Sequence, residues 1–97
     1  KIVGYAAASK GTIVQNYCNI GPEILDYITD STPAKQGLYT PGKHIPVISP
    51  EVFHQDRNVD YALLGAWNHA QEIMAKEKEF ISRGGKFITH LPVPRIL

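Results

Sequence analysis

The sequence predicts a small three-layer α/β domain in which a parallel sheet of about five strands is flanked by helices. Short apolar runs alternate with segments of helical spacing, which is typical of strands joined by crossover helices. The first unit, residues 1–19, is an apolar run, a turn of small residues and an amphipathic segment. Right-handed crossovers, with the most apolar run placed centrally, give the strand order 3-2-1-4-5.

Length and composition indicate one domain spanning residues 1–97. A 43% hydrophobic and 20% charged chain has the composition of an ordinary globular protein, and its net charge of +1 gives no basic field for nucleic acid. There is no apolar run of membrane-spanning length and no signal peptide. The single cysteine, Cys18, excludes an internal disulfide and fits a reducing compartment, so we expect a cytoplasmic protein. Because the chain starts directly in a strand, without methionine, we expect a piece of a longer protein.

Five strands and three helices are predicted in alternation. The strands are, in chain order, Ile2–Tyr5, Ile24–Thr29, His44–Ile48, Val59–Gly65 and Lys86–His90. The helices are residues 9–19, a short segment after Ser49, and a segment from Asn68 to the stop at Arg83-Gly84-Gly85. Pro46 indicates that the third strand lies at an edge, because proline cannot donate a hydrogen bond to a ladder. The long loop at residues 30–43 favours a functional or partner-facing role, and residues 91–95 are predicted to leave the domain as a tail.

Local signals refine the two longer helices. Ser9 is a predicted N-cap for the first, and Cys18 falls on its apolar face. Asn68 and Gln71 give the last helix a start that resembles a capping box. Glu77 is the one polar residue on the apolar face of that helix.

Three separate stretches converge on one edge of the predicted sheet. Ligands of open parallel sheets bind beyond the carboxyl ends of the strands, where the strand order reverses. In the order 3-2-1-4-5 that edge gathers residues 6–10, Asp30 with its loop, and residues 66–68. This convergence predicts a ligand site.

The turn after the first strand is a candidate phosphate site, because small residues let the backbone approach a ligand and free N–H groups attract anions. Its candidate residues are Gly4, Ala6, Ser9, Lys10 and Gly11, with Lys10 best placed to meet a phosphate. A dinucleotide turn uses three glycines, however, and here Ala6 and Ser9 stand where glycine would allow the closest approach. The alternative is a turn whose small residues only pack helix against sheet.

The other candidates lie on the loops that follow strands two and four. Asp30 follows the second strand, where a carboxylate often binds a ribose hydroxyl, although it could merely cap the loop. Lys35 and Gln36 could close over a ligand or face a neighbouring domain. Trp67 offers a stacking plane and Asn68 an amide, with core coverage and helix capping as their alternatives.

No catalytic constellation is visible in the sequence. The four histidines show no pair at metal-binding spacing, and no serine or cysteine nucleophile has a recognisable setting. We therefore assign no catalytic residue, metal or cofactor to this chain from its residues.

Several short motifs follow one another in the order of a known family. They are Val3-Gly-Tyr-Ala-Ala-Ala-Ser-Lys-Gly-Thr12, Asn16-Tyr-Cys18, Lys35-Gln-Gly37, Pro41-Gly42, His44-Ile-Pro46 and Trp67-Asn68. Together they make almost the whole chain resemble the C-terminal domain of the sugar C-methyltransferases. Those bacterial enzymes use S-adenosylmethionine to methylate a carbon of a nucleotide-linked deoxysugar.

The resemblance implies a Rossmann-like domain that binds and scaffolds the substrate, a nucleotide-diphosphate sugar. It implies that S-adenosylmethionine, zinc and the catalytic base belong to other domains, and that the central methyltransferase domain is a partner. The matching residues are the turn with Lys10 and Gly11, the loop at Lys35-Gln36-Gly37, and the pair Trp67-Asn68. Ala6 departs from the family, whose members often have glycine there, and this favours a packing role for the turn.

Two other hypotheses stay open at this point. One is an independent NAD- or nucleotide-binding domain, which would bind tightly despite the imperfect glycine pattern. The other is a structural or dimerising module whose turn holds no ligand.

Overall fold

The computed structural model describes residues 1–7, 18–65, 69–89 and 95–96. Its strands β1 to β6 are, in order, Ile2–Tyr5, Leu25–Thr29, Val47–Ile48, Tyr61–Leu64, Lys86–Thr89 and Arg95–Ile96. Its helices α1 to α3 are Pro50–Gln55, Ala70–Lys76 and Lys78–Ser82, and a single 3₁₀ turn covers Pro33–Lys35.

The strands form one sheet in the order β3-β2-β1-β4-β5-β6, and the first five of these run parallel. The predicted α/β class and the order 3-2-1-4-5 are therefore confirmed. The most apolar predicted strand, β4, is interior, and β3 lies at an edge as Pro46 indicated. Pro46 still takes part in the sheet as an acceptor, because the N–H of Ile28 donates to its carbonyl oxygen at 2.8 Å.

The prediction that the chain leaves the domain after the fifth strand was wrong. Arg95 and Ile96 form β6, which pairs antiparallel with Thr89 and Ile88 of β5. Without β6, β5 would present a row of unpaired backbone groups at the edge of the sheet. The returning backbone satisfies part of that row.

The ends of the first and last predicted helices also differ from the sequence interpretation. Residues 8–17, which hold most of the first helix, lie outside the described residues, but Cys18 is exposed and sits in a turn. Its placement on an apolar helix face was therefore wrong, and Asn19, with φ of 58°, shows that the backbone has already turned out of a right-handed helix there. The last helix has His69 at its cap position; Asn68 lies outside the described ranges.

Two apolar clusters cover the two faces of the sheet. On one face the side chains of α1, α2 and α3 pack on the strands around Phe53, Phe80 and Phe87. The opposite face is built on Leu25, Ile28, Ile45 and Leu63. The two sets alternate along β4, as expected of a sheet that is buried on both sides. In β2 the register with β1 shifts between Leu25 and Ile28, so that Leu25 and Tyr27 lie on opposite faces.

The predicted last helix is broken at its one polar core position. Glu77 has φ of −105° and ψ of 38° and separates α2 from α3. Only 4% of Glu77 is exposed. Its Oε2 accepts a hydrogen bond from the Tyr5 hydroxyl at 2.5 Å, and its Oε1 lies 2.9 Å from Nε2 of His54. A buried carboxylate is costly unless it is paired in this way, so the pairing ties the helix break to β1 and α1.

The Tyr5 hydroxyl bond to Glu77 gives a testable prediction. Burial raises the pKa of Tyr5, and the hydrogen bond and charge of Glu77 raise it further, so the phenol remains a donor. We expect Tyr5→Phe to lower the free energy of unfolding by about 1–3 kcal/mol, because it leaves a buried carboxylate oxygen with one partner fewer. Tyr39→Phe, at a tyrosine that is 65% exposed, is the control for the same chemical change. Urea denaturation measures both, and equal losses would show that the bond does not stabilise the fold.

Candidate functional site

The turn that follows β1 lies at the carboxyl edge of the sheet and is held by the end of β2. The Ala6 N–H donates to the Thr29 carbonyl oxygen at 2.8 Å, and the Ala7 N–H donates to Oδ2 of Asp30 at 2.7 Å. Ala6 has φ of 75°, in the left-handed region that favours glycine. Both N–H groups of the turn that are described are therefore occupied by the protein itself.

The end of β4 approaches this turn closely because residue 65 is glycine. The Gly65 N–H donates to the Tyr5 carbonyl oxygen at 2.8 Å. A Cβ atom on Gly65 would lie 2.2 Å from the Ala6 carbonyl oxygen, a distance that no side chain could occupy. The close contact at this edge is thus one backbone against another.

Asp30 binds backbone groups with both carboxylate oxygens. Besides the Ala7 contact, its Oδ1 accepts a hydrogen bond from the Thr32 N–H at 2.8 Å. Burial alone would raise the pKa of Asp30, but the hydrogen bonds from Thr32 and Ala7 and the charge of Lys35 outweigh burial and lower the pKa. The carboxylate stays ionised at neutral pH and joins the long loop to the turn. This geometry fits the capping alternative, and a contact with a ribose hydroxyl stays a prediction.

Two further candidates on the loop at residues 30–43 bind backbone carbonyl groups near the turn. Lys35 Nζ donates to the Ala7 carbonyl oxygen at 3.0 Å, and Gln36 Nε2 donates to the Asp30 carbonyl oxygen at 2.8 Å. The structure thus brings together Ala6, Asp30, Lys35 and Gln36, while the third predicted stretch, residues 66–68, lies outside the described residues.

Of the remaining candidates, the structure describes Gly4 only. Gly4 lies buried within β1, where a Cβ atom would come within 2.6 Å of the Ile28 Cγ1, so its small size serves packing. Five further candidates fall outside the described residues, and their ligand contacts stay predictions. They are Ser9, Lys10, Gly11, Trp67 and Asn68.

A cavity of about 280 Å³ opens beside this turn. The ends of the strands form one wall with Tyr5, Ala6, Thr29, Asp30 and Ser31. The opposite wall is made by Pro50 together with His69, Glu72, Ile73 and Lys76. The cavity therefore lies on the sheet face covered by α2, at the carboxyl edge where parallel sheets bind ligands.

Sequence reasoning missed most of these wall residues, although a signal for them existed. Residues 69, 72, 73 and 76 follow the i, i+3, i+4, i+7 spacing of one helix face. Tyr5 and Thr29 end the first two strands, so they belong to the same edge as the residues that were recognised. Combining the face of the helix with the ends of the strands would have located the cavity.

Thr29 is unusual among the wall residues because its hydroxyl is buried. The residue is 2% exposed, and its Oγ1 has no hydrogen-bond partner in the part of the chain that the structure describes. An unpaired buried hydroxyl costs free energy, so its presence beside a cavity needs an explanation.

The described residues contain no group of three histidine, cysteine, aspartate or glutamate side chains that could hold a metal ion. None of the helices in the described ranges combines the length and apolar character needed to cross a bilayer.

Comparison with known proteins identifies the family. A family model described as the C-methyltransferase C-terminal domain matches residues 1–92. The chain belongs to this family. It is also 42% identical over 96 residues to the C-methyltransferase NovU of Streptomyces niveus. That alignment covers 99% of this chain but 23% of NovU, so the chain spans less than a quarter of its relative's length.

Membership of the C-methyltransferase C-terminal domain family confirms the resemblance seen in the sequence motifs. The family match includes β1 to β5, all of the described turn and the whole cavity wall, whereas β6 begins at Arg95, beyond residue 92.

Asp30 provides a test by pH. Because its pKa is lower in the fold than in the unfolded chain, its stabilising contribution is present above the unfolded pKa of about 3.9 and is lost as pH falls through the folded value. We expect Asp30→Asn to lower the free energy of unfolding at pH 7 by about 1 kcal/mol, given the partial exposure of the carboxylate.

The pH profile then separates this residue from the other acids. Aspartates titrate between about pH 6 and about pH 2. Over that range the difference in free energy of unfolding between wild type and Asp30→Asn should shrink as the pH falls. Gln71→Ala, at an exposed residue without an ionisable side chain, is the control and should show no such convergence. A constant difference for Asp30→Asn at all pH values would contradict the proposed ionic bonding.

Ala6 provides a test of backbone strain. We expect Ala6→Gly to raise the free energy of unfolding by about 0.5–1 kcal/mol, because relief of the left-handed alanine outweighs the greater freedom of the unfolded chain. Ala7→Gly is the matched control at a residue without positive φ, and it should lower stability. Thermal and urea unfolding measure both; a loss for Ala6→Gly would show that the alanine is not strained.

Proposed function

We propose that this chain is the substrate-binding and scaffolding domain of an S-adenosylmethionine-dependent C-methyltransferase that acts on a nucleotide-linked deoxysugar. The observation that carries this is the assembly of Ala6, Asp30, Lys35 and Gln36 beside a cavity at the carboxyl edge of the sheet. Membership of the C-methyltransferase C-terminal domain family supports the reaction class. The resemblance noted in the motifs supports the sugar substrate, and the single cysteine, Cys18, fits a cytoplasmic enzyme.

The charges at this edge suit a ligand with both anionic and neutral parts. Lys35 Nζ lies at the turn, 3.0 Å from the Ala7 carbonyl oxygen, and offers a cation to a diphosphate. Asp30 stays ionised next to it and accepts hydrogen bonds, which suits hydroxyl groups rather than phosphate. A nucleotide-diphosphate sugar carries both kinds of group.

We assign the methyl donor, zinc and catalytic base to parts of the enzyme outside this chain. The residues described here include no donor set for a metal. S-adenosylmethionine supplies the methyl group when it is bound, and in our proposal this domain only holds the acceptor sugar in position.

The long loop supports a partner role for the rest of the enzyme. The loop that carries Lys35 and Gln36 also exposes two large apolar side chains, Leu38 at 57% and Tyr39 at 65%. Large apolar side chains that remain exposed on one loop are candidates for contact with another domain. We propose that this surface faces the central methyltransferase domain, so that the substrate lies between the two.

The dinucleotide alternative is less well supported by the turn. NAD-binding turns use glycine so that the pyrophosphate can approach the backbone. Here the described N–H groups of Ala6 and Ala7 already donate to Thr29 and Asp30. The structural-module alternative predicts that no nucleotide binds at all.

A titration of the isotope-labelled chain with dTDP, UDP and NAD tests the proposal by NMR. We expect dTDP or UDP to shift the amide signals of residues 6, 7, 30, 35 and 36. Lys35→Ala should weaken that binding by about fivefold through loss of a charged donor. Lys86→Ala, at the first residue of β5 and hence at the opposite edge of the sheet, is the matched control and should bind like wild type.

Each other outcome has a definite meaning. A stronger saturable response to NAD would favour the dinucleotide hypothesis. Silence from all three ligands at millimolar concentration, persisting after the central domain is added back, would favour the structural module. Equal weakening in Lys35→Ala and Lys86→Ala would show that the lysine at the turn makes no specific contact.

A further inference from the structure

We propose that the 280 Å³ cavity receives the nucleoside end of the substrate and that the Thr29 hydroxyl is a specificity-determining contact to its ring. This inference rests on the proposed function. It adds Thr29 and the nucleoside to that site. The nucleoside then lies in the cavity, and the diphosphate lies apart from it, near Lys35.

The first argument is the position of Thr29 on the sheet. Side chains alternate between the faces of a strand, so Thr29 shares a face with Tyr27, which belongs to the cluster under the helices. That is the face on which α2 forms the opposite wall of the cavity. The Thr29 side chain is thus on the cavity side of β2, at the last residue of the strand.

The second argument is that the hydroxyl lacks a partner. A buried hydroxyl normally finds an acceptor or donor within the fold, and Thr29 Oγ1 has none among the residues that the structure describes. A polar ligand in the cavity would supply that partner. A ring carbonyl or ring N–H of a base matches a hydroxyl, which can both donate and accept.

The third argument is charge. The walls carry the ionised Asp30 and the carboxylate of Glu72 against the single lysine, Lys76, with His69 beside them. A diphosphate needs a surplus of cations, and this cavity does not offer one. A neutral ring with hydroxyl groups does not need that surplus, and Asp30 can accept its hydroxyl hydrogens.

The fourth argument is size and shape. Pockets that enclose a whole drug-sized ligand measure roughly 300–1,000 Å³, so this cavity suits only one end of a nucleotide sugar. Tyr5 and Ile73 give it apolar surface on both walls, as the faces of a base require. The sugar must reach the methyl donor, which we assign to another domain, and this leaves the nucleoside end for the cavity.

The experiment compares wild type, Thr29→Val and Thr29→Ser in NMR titrations with uridine, thymidine, methyl α-glucoside, inorganic pyrophosphate and UDP. We expect a nucleoside and UDP to shift the amide signals of Thr29 and Ile73 in the wild type. Thr29→Val should raise the Kd for that nucleoside by about fivefold through loss of one hydrogen bond. Thr29→Ser, which keeps the hydroxyl, should bind like wild type.

Thermal unfolding of the same variants provides a readout that needs no ligand. If the hydroxyl has no partner within the protein, Thr29→Val keeps or raises the unfolding midpoint, because it buries a methyl group in place of an unpaired polar one. A midpoint clearly below that of wild type would show an internal partner and overturn the inference.

The remaining outcomes separate this inference from the proposed function. UDP shifts confined to residues 6, 7, 35 and 36, or cavity shifts caused by methyl α-glucoside or pyrophosphate alone, would overturn the nucleoside assignment while leaving nucleotide-sugar binding intact. Equal nucleoside affinity in Thr29→Val and wild type would overturn the role of the hydroxyl. An absence of shifts with every probe, persisting after the central domain is added back, would overturn both proposals for this chain.

Discussion

The hydrogen bonds around Ala6 and Ala7 are the constraint on which the carboxyl edge of this sheet depends. The two N–H groups bind β2 and its following carboxylate, and the Ala7 carbonyl oxygen accepts from Lys35. The neighbouring carbonyl oxygen of Tyr5 accepts from Gly65 at the end of β4. One short turn thereby fixes the ends of three strands and the long loop. The side chains of Asp30 and Lys35 are held at this edge by these bonds.

A second polar anchor fixes the opposite wall of the cavity. Glu77 sits where a continuous helix would present an apolar residue, and its carboxylate reaches Tyr5 on β1 and His54 on α1. Tyr5 is both the partner of this carboxylate and the residue that precedes the turn. The end of α2 is therefore hydrogen-bonded to the same residue of β1 that leads into the turn. Both walls of the cavity are thus attached to β1.

Much of this fold was predictable because the sheet is encoded locally. Apolar runs and turn residues located β1 to β5, and the handedness of crossovers ordered them. The break at Glu77 was visible as a misplaced polar residue, but its partners Tyr5 and His54 are remote in sequence and no local pattern names them. β6 was missed for the same reason, since pairing of Ile96 with Ile88 depends on an edge that exists only in the folded sheet. Asp30, Lys35 and Gln36 were recognised as candidates because the topology places the ends of the strands together. Thr29 was assigned only to the second strand, and no pattern in the sequence showed that its hydroxyl would be buried without a partner in the described ranges.

The glycine at residue 65 supports our proposal that a ligand ring binds in the cavity rather than at the turn. In a dinucleotide turn, glycine removes side chains so that a pyrophosphate can approach the backbone. Here the turn keeps a left-handed alanine, and the glycine is at residue 65, where its missing Cβ makes room for the Ala6 carbonyl oxygen. The space gained by glycine is thus filled by the protein's own backbone. The cavity on the side of the sheet covered by α2, where we propose that the ring binds, has walls of side chains and a buried hydroxyl that lacks a partner among the described residues.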